Sequence, residues 1–207
     1  DGYLVENKTV SVTIPKSIGV ELKEMNFEGR DISKKTVYDQ SLDADIITYE
    51  IKNIAARETE RNSPGPSYTE PHLLVLCKYA NQPEGKITYF NTLDDQYAWY
   101  HSLTKDLTGP NEVVKAKAEE ITKAATTDLD KIKKIYYWMH DNIRYIAFED
   151  GIAGFKPEKS EEVLRKKYGD CKGMAHLTRD FLKALGFDAR LCWIGTNHIA
   201  YDYSTPS

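Results

Sequence analysis

Residues 168–175 read Tyr168-Gly169-Asp170-Cys171-Lys172-Gly173-Met174-Ala175 and begin an amphipathic helix. Asp170 has a side chain suited to cap a helix N-terminus. Apolar residues then recur at steps of three and four, which predicts one buried helix face made of Met174, Leu177, Phe181 and Leu185. Gly186 follows this face and suits the helix C-terminus. The sequence therefore places Cys171 in the first turn of a helix.

This position suits a cysteine nucleophile. Unpaired backbone N–H groups and the positive end of the helix dipole favour a thiolate, the form of cysteine that attacks carbonyl carbon. Lys172 adds a positive charge, and the charged and glycine neighbours argue against deep burial. The alternative is a small buried residue that happens to start a helix. On these physical grounds a reactive thiol at Cys171 and a small buried residue are both open.

The other two cysteines have a different sequence context. Cys77 follows an apolar run, and Cys192 lies in the alternating segment Leu191–Ile194, so both are predicted to be buried strand residues. Three cysteines cannot form a fully paired disulfide framework. The sequence has neither a Cys-x-x-Cys pair nor clustered histidines, so a zinc site is not indicated. No metal or organic cofactor is expected.

The composition is that of a soluble globular protein, with 41% hydrophobic and 29% charged residues among 207. No apolar run approaches the roughly 18 residues of a membrane span. Residues 1–14 alternate like a strand and lack the apolar core of a signal peptide. The formal net charge is −4, and the basic runs lie among acidic residues. A nucleic-acid partner is therefore not predicted.

The first ninety residues alternate as half-buried antiparallel strands do. The predicted strands lie around Val10–Ile14, Val20–Leu22, Ile47–Ile51, His72–Tyr79 and Lys86–Phe90. Between the third and the fourth, the segment Arg57–Pro71 is rich in proline, glycine and serine, and we expect a long irregular connection there.

From Thr92 onward the apolar period becomes helical. Thr92 with Asp95, and Thr127 with Asp130, form capping boxes that begin two helices, with a third helix between them. In the last of these helices we predict that Tyr136, Met139 and Ile143 face a core shared with the cysteine helix. We place the domain boundary near Gly109-Pro110, between a β-rich domain at 1–109 and a mixed domain at 110–207.

The segment Tyr168–Lys172 resembles the nucleophile region of the transglutaminase-like superfamily. Glu161–Arg165 before it and a predicted strand at Ala189–Thr196 after it extend the similarity. The helix Tyr136–Tyr145 resembles the characteristic helix ahead of the cysteine in that family. Lys52–Tyr79, with Tyr97–Tyr100, is similar to the β domain of unknown function that commonly precedes this catalytic domain in bacterial envelope proteins.

The resemblance implies an α+β fold, in which an antiparallel β domain precedes a papain-like domain with its cysteine at a helix N-terminus packed on a sheet. It implies acyl transfer at a peptide or amide carbonyl, with Cys171 attacking, a histidine protonating the leaving amine and an aspartate orienting that histidine. The bacterial branch favours hydrolysis over cross-linking. The substrate would be a peptide, protein or envelope polymer, and the protein would be exported to the periplasm or cell envelope. The alternative is a non-catalytic envelope binding module that uses the same fold as a scaffold.

The catalytic histidine and aspartate are not evident in this sequence. In the family the histidine lies on a strand beyond the one that follows the cysteine helix, and the aspartate lies on the next strand. The only histidine beyond the cysteine helix is His198, directly after the predicted strand, and Asp202 is too close to it to lie on a neighbouring strand. We expect both residues beyond Ser207, which would leave the domain C-terminally incomplete; His198 as the base is the alternative.

Other side chains near the cysteine have simpler roles in this interpretation. His140 and His176 lie on helices and are expected to face solvent or to pack. Glu149 and Asp150 are adjacent, so they cannot flank one bond as paired acids, and their glycine-flanked loop is expected to rim the cysteine cleft. Five aromatic residues either line this cleft or belong to the core: Tyr145, Phe148, Phe155, Tyr168 and Trp193.

Overall fold

The computed structural model describes residues 2–56, 61–147, 149–195, 200 and 204. Antiparallel sheets come first and helices follow, so the fold is α+β as predicted. Among the described residues, those of Asp1–Ala98 and Gly195–Ser207 form one compact unit, here called the β unit. Trp99–Ile194 form the second, the helical unit. The domain limits at 1–109 and 110–207 stay a prediction.

Two three-stranded antiparallel sheets build the β unit. In order across the first sheet, the strands are β1 (Val5–Pro15), β4 (Ala44–Ile54) and β3 (Ile32–Asp39). In order across the second sheet, they are β2 (Ile18–Met25), β5 (His72–Gln82) and β6 (Gly85–Thr88). The alternation of apolar residues thus predicted five of these six strands.

Strand β3 and a short helix are the elements that the sequence did not predict in this unit. Residues 33–38 of β3 are all exposed at the edge of the first sheet, so the strand carries no apolar alternation, and its lysines are typical of a protected sheet edge. The segment 57–71 was expected to be irregular, but it contains the short helix α1 (Pro66–Thr69). Pro66 favours this helix because its fixed φ suits the first helical position.

Polar contacts connect the two sheets of the β unit. Glu24 on β2 accepts hydrogen bonds from the Lys34 ammonium on β3, at 2.6 Å, and from the Tyr49 hydroxyl on β4, at 2.9 Å. Few apolar side chains support these contacts, because the buried ones among the described residues of this unit are Ala44, Tyr49 and Leu76. Strands of both sheets also line a cleft of about 2020 Å³.

In its described residues the helical unit contains five α-helices, the first of which begins in the β unit. Their bounds are α2 (Leu93–Thr104), α3 (Glu112–Thr122), α4 (Asp128–Asn142), α5 (Ser160–Lys166) and α6 (Cys171–Ala184). A 3₁₀ helix spans Gly151–Gly154, and β7 (Arg144–Tyr145) pairs in parallel with β8 (Tyr168–Gly169).

The predicted capping boxes begin their helices. At the start of α2, the Thr92 backbone N–H donates to the Asp95 carboxylate at 2.8 Å, and the Asp95 N–H donates back to the Thr92 hydroxyl at 3.2 Å. At the start of α4, the Asp130 N–H donates to the Thr127 hydroxyl at 3.1 Å. These helix starts were correctly predicted because a cap is a contact between residues only three positions apart.

One contiguous apolar core joins helices α3 to α6. Its buried members are Val114, Ala118, Ile135, Met139, Ile143, Val163, Leu164, Leu177 and Phe181. The prediction for Met139 and Ile143 is confirmed, but the one for Tyr136 is wrong, because its side chain is 63% exposed and packs edge-on against Tyr137. Helix α4 instead turns the row Ile135, Met139 and Ile143, each four residues apart, toward the core.

Two further predictions on cysteines and strands are corrected. Residues 189–195 form no strand in the structure, and Cys192 is exposed in this irregular segment. Cys77 does lie on β5 but is exposed, because its neighbour Leu76 takes the buried face and successive strand residues point to opposite sides. Within the described residues, no helix combines the length and apolar character that a membrane span requires.

Candidate active site

The cysteine turn begins helix α6 as the sequence predicted. Cys171 is the first residue of this helix, and it is exposed. The Asp170 carboxylate caps the helix, with one oxygen accepting the Gly173 backbone N–H at 2.8 Å and the other lying 2.6 Å from the Lys172 ammonium. Asp170 is buried, so both of its oxygens are engaged in a site with little water. The cap therefore fixes the turn that carries the sulfur.

Lys172 supplies the positive charge that was expected beside the cysteine. Its side chain is only 13% exposed and forms an ion pair with Asp170. Burial opposes the charged ammonium, but the hydrogen bond to Asp170 and the negative charges of Asp170, Cys171 and Glu149 outweigh it, so the pKa of Lys172 is raised. Lys172 thus remains a cation at neutral pH.

Strand β7 brings Tyr145 to the cysteine. The parallel pairing aligns Tyr145 with Gly169, and the Ile146 N–H donates to the Gly169 carbonyl at 3.0 Å. The negative charge on Cys171, together with a hydrogen bond from the phenol to its sulfur, raises the pKa of Tyr145. Sequence reasoning left Tyr145 in either the cleft or the core and missed its interaction with Cys171. The register of two short strands distant in sequence has no local signal.

Helix α5 lies under the cysteine turn. A Cβ atom added at Gly169 would lie 3.1 Å from one methyl of Val163, and one added at Gly173 would lie 3.1 Å from the other methyl. These distances are shorter than ordinary van der Waals contact, so the two glycines allow α5 to approach the turn on both sides of Cys171. The glycine spacing in the motif thus has a packing cause.

Two of the other four aromatic residues proposed for the cleft or the core contact aromatic side chains of α2. Phe155 contacts Trp99, with ring centroids 5.1 Å apart, and Trp193 stacks on Tyr100 at 4.1 Å. Tyr168 is half-buried, and Phe148 lies outside the described residues. Glu149 is exposed, and its charge acts on both Tyr145 and Lys172, which agrees with a loop at the rim of the cysteine site.

The described residues test neither of the two predictions for the catalytic base. His198 and Asp202 both lie outside them. His140 is exposed on α4, 3.0 Å from the Asp141 carboxylate. His176 is buried, with its Nδ1 atom 2.8 Å from the Glu158 carbonyl oxygen. In the part of the chain that the structure describes, no three His, Cys, Asp or Glu residues form a group that could hold a metal ion.

Comparison with known proteins bears on the family and the fold around the cysteine turn. Residues 115–199 match the family model of the transglutaminase-like superfamily. The fold is similar to the crystal structure of a "putative protease" from Parabacteroides distasonis ATCC 8503, with a TM-score of 0.60 and 18% identity over 90% of this chain. The present chain spans 33% of that protein's chain. No curated protein sequence matches it.

The family match covers α4 to α6, most of α3 and the cysteine turn. It does not cover Asp1–Ala98 of the β unit, whose resemblance to the β domain of envelope proteins stays a prediction. Helix α6 with Cys171 at its first position, the strand pair beside it and the capped turn all lie within the matched residues. The predicted resemblance to the transglutaminase-like superfamily is therefore confirmed for residues 115–199.

Proposed function

We propose that Cys171 is the nucleophile of a peptidase or amidase. The observation that carries this proposal is the exposed sulfur at the N-terminus of α6, between the Asp170–Lys172 ion pair and the Tyr145 hydroxyl. A helix N-terminus and a nearby cation favour the thiolate, and a phenol that donates to sulfur does the same. Deep burial would have removed the sulfur from substrate, and this residue is not buried.

The proposed reaction proceeds in two steps. The thiolate adds to the amide carbonyl carbon, the carbonyl electron pair moves to oxygen, and the tetrahedral intermediate expels the amine, which takes up a proton from a general acid. Water then attacks the thioester, releases the carboxylic acid and restores the thiol. Resemblance assigns the acid to a histidine beyond Ser207, with His198 as the alternative. We propose hydrolysis rather than transfer to an amine.

Tyr145 has a defined part in this proposal. Its hydroxyl donates to the sulfur before attack and lies where negative charge moves from sulfur to the carbonyl oxygen. The substrate would be a peptide, protein or envelope polymer, and we propose an exported, envelope location on resemblance alone. The alternative is a non-catalytic binding module, which the cleft of about 2020 Å³ in the β unit favours.

The first experiment compares the three cysteines. All three are exposed, so access alone does not separate them, and Cys77 and Cys192 are internal controls. We expect iodoacetamide to alkylate Cys171 on the order of tenfold faster at neutral pH, as measured by mass spectrometry at limited labelling. Equal rates would contradict a thiolate at Cys171. Hydrolysis of a peptide library is then measured, and we expect Cys171→Ala to abolish it. Loss of hydrolysis in His198→Ala would identify His198 as the base, and retained hydrolysis would exclude it.

A second experiment tests the contact between sulfur and phenol. Because the charge on Cys171 raises the pKa of Tyr145, Cys171→Ala is expected to lower it toward the ordinary tyrosine value of about 10. The shift is measured from the ring ¹³C resonances of labelled tyrosine, with Tyr145→Phe identifying the signal. An unchanged titration in Cys171→Ala would show that the sulfur carries no charge beside the ring.

A further inference from the structure

Helix α6 carries a buried pair of polar side chains that the proposed chemistry does not use. His176 is 2% exposed and Asp180, one turn later, is 0% exposed, and the Nε2 atom of His176 lies 3.3 Å from the Asp180 carboxylate. Burying such groups costs free energy unless partners compensate. The pair therefore needs a structural or functional reason.

The partners of this pair lie at the start of helix α5. The Nδ1 atom of His176 donates to the Glu158 carbonyl at 2.8 Å, because a carbonyl oxygen only accepts. The Ser160 hydroxyl donates to the Asp180 carboxylate at 2.7 Å. Arg179 lies 3.6 Å from the second Asp180 oxygen and adds positive charge. We call His176, Asp180 and Ser160, with the Glu158 carbonyl, the polar clamp.

Helix α5 connects the polar clamp to the cysteine turn. The clamp holds its first residue, Ser160, and Val163, one turn later, contacts the two glycines on either side of Cys171. The helix ends at Lys167, whose φ of 62° turns the chain directly into β8 and Asp170. A displacement of α5 would therefore move both the surface under the turn and the strand that aligns it with Tyr145.

We propose that the polar clamp is a positioning device that fixes α5 against α6 and thereby holds Cys171 beside Tyr145. Its significance for catalysis rests on the proposed function, but the positioning itself does not. A polar clamp suits this task because hydrogen bonds fix the direction and register of α5, whereas apolar contacts alone tolerate sliding. His176, Asp180 and Ser160 are thus positioning residues, and none of them touches substrate.

The test uses no substrate. It measures how strongly Tyr145→Phe changes the alkylation rate of Cys171, which is here called the coupling between the two residues. In the otherwise unchanged chain, Tyr145→Phe removes a hydrogen bond to a charged sulfur, and we expect the Cys171 alkylation rate to change on the order of tenfold. Tyr145→Phe is then made in a second background, the filled variant, which carries His176→Phe, Asp180→Leu and Ser160→Ala. These apolar side chains occupy the space of the polar clamp but remove its hydrogen bonds. There we expect Tyr145→Phe to leave the rate nearly unchanged.

Two control variants separate positioning from stability. Asp180→Asn keeps an acceptor oxygen at the position that the Ser160 hydroxyl contacts, so we expect it to retain the coupling. Thr122→Val removes a buried hydroxyl that donates to the Ala118 carbonyl within α3, outside the polar clamp, and should retain the coupling as well. If the filled variant does not fold, Ser160→Ala and His176→Gln, which remove the hydrogen bonds to Asp180 and to the Glu158 carbonyl respectively, replace it and should each reduce the coupling.

Full coupling in every folded clamp variant would overturn the inference and leave the clamp as a packing device. Loss of coupling in Thr122→Val to the same degree would overturn it too, because any loss of stability would then suffice. Equal alkylation rates at the three cysteines, in a chain that shows the expected coupling, would instead count against the proposed function and leave the positioning role intact.

Discussion

The helical unit and the β unit bury their apolar residues in different ways. The helical unit joins four helices around nine contiguous buried side chains, and the cysteine turn lies directly on this core through Val163. The described part of the β unit buries three apolar side chains and keeps a cleft between strands of both sheets. Nucleophilic catalysis needs atoms held within a fraction of an ångström, and a close-packed unit provides this. The difference indicates that the helical unit provides the precise geometry and the β unit provides an accessible surface.

The strongest test of this comparison removes a core side chain of the helical unit. Met139 is 4% exposed, and Met139→Ala should reduce the free energy of unfolding by roughly 2–5 kcal/mol through lost burial and a cavity. Urea unfolding is followed by tryptophan fluorescence, because Trp99, Trp138 and Trp193 all lie in the helical unit. The control is Tyr136→Ala on the exposed side of α4, which should stay within about 0.5 kcal/mol. A cost below about 1 kcal/mol for Met139 would mean that the core is loose.

The same pair of residues shows what the sequence can predict. Apolar spacing identified α4 and two of its core residues, but Ile135 and Tyr136 are adjacent, and both fit a three-and-four pattern. The exact rotation of a helix depends on the surface against which it packs. Capping boxes were predicted to the residue because their partners are three positions apart, and Asp170, Thr127 and Thr92 all begin helices as expected.

A second substitution tests the cysteine turn itself. Asp170→Ala removes a buried cap and leaves the Lys172 ammonium without its partner, so we expect a cost of about 2–3 kcal/mol. Thr127→Ala removes an exposed cap on α4 and should cost about 1 kcal/mol. Both are measured by the same tryptophan signal. Equal costs would mean that the ion pair at the cysteine turn contributes nothing beyond ordinary capping.

Long-range contacts account for what the sequence could not predict. The contact of Tyr145 with Cys171 depends on the register of β7 against β8, and the polar clamp depends on where α5 lies on α6. Neither leaves a local pattern. Strand β3 was not predicted because an exposed edge strand needs no apolar face. The side of β5 on which Cys77 lies is fixed by packing against other strands, which the sequence around Cys77 does not show.

A third substitution measures the core of the β unit. Leu76 is 7% exposed on β5, and Leu76→Ala should cost about 1–2 kcal/mol, at or below the low end for buried leucines, because the surrounding unit has few buried neighbours to lose. Hydrogen exchange of the β5 amides reports this unit separately from the tryptophans. A cost equal to that of Met139→Ala would break the comparison, since the β unit would then have a core of similar quality.

The smallest expected effect concerns the polar contact between the two sheets. Hydrogen bonds from Lys34 and then Tyr49 lower the pKa of Glu24, and its side chain is 35% exposed, so solvent screens the pair. Glu24→Gln should cost about 0.5 kcal/mol at pH 7.

Because the folded pKa of Glu24 lies below the unfolded value of about 4.3, this contribution is present above that value and is lost as the pH falls through the folded pKa. Urea unfolding of both proteins between pH 3 and pH 7, read from β5 hydrogen exchange, should therefore show their difference vanish in acid. Glu50→Gln, which affects a more exposed ion pair with Lys52, is the control and should change stability by less. A Glu24→Gln difference that persists unchanged in acid would show that the neutral Tyr49 hydrogen bond, and not the charge, connects the sheets.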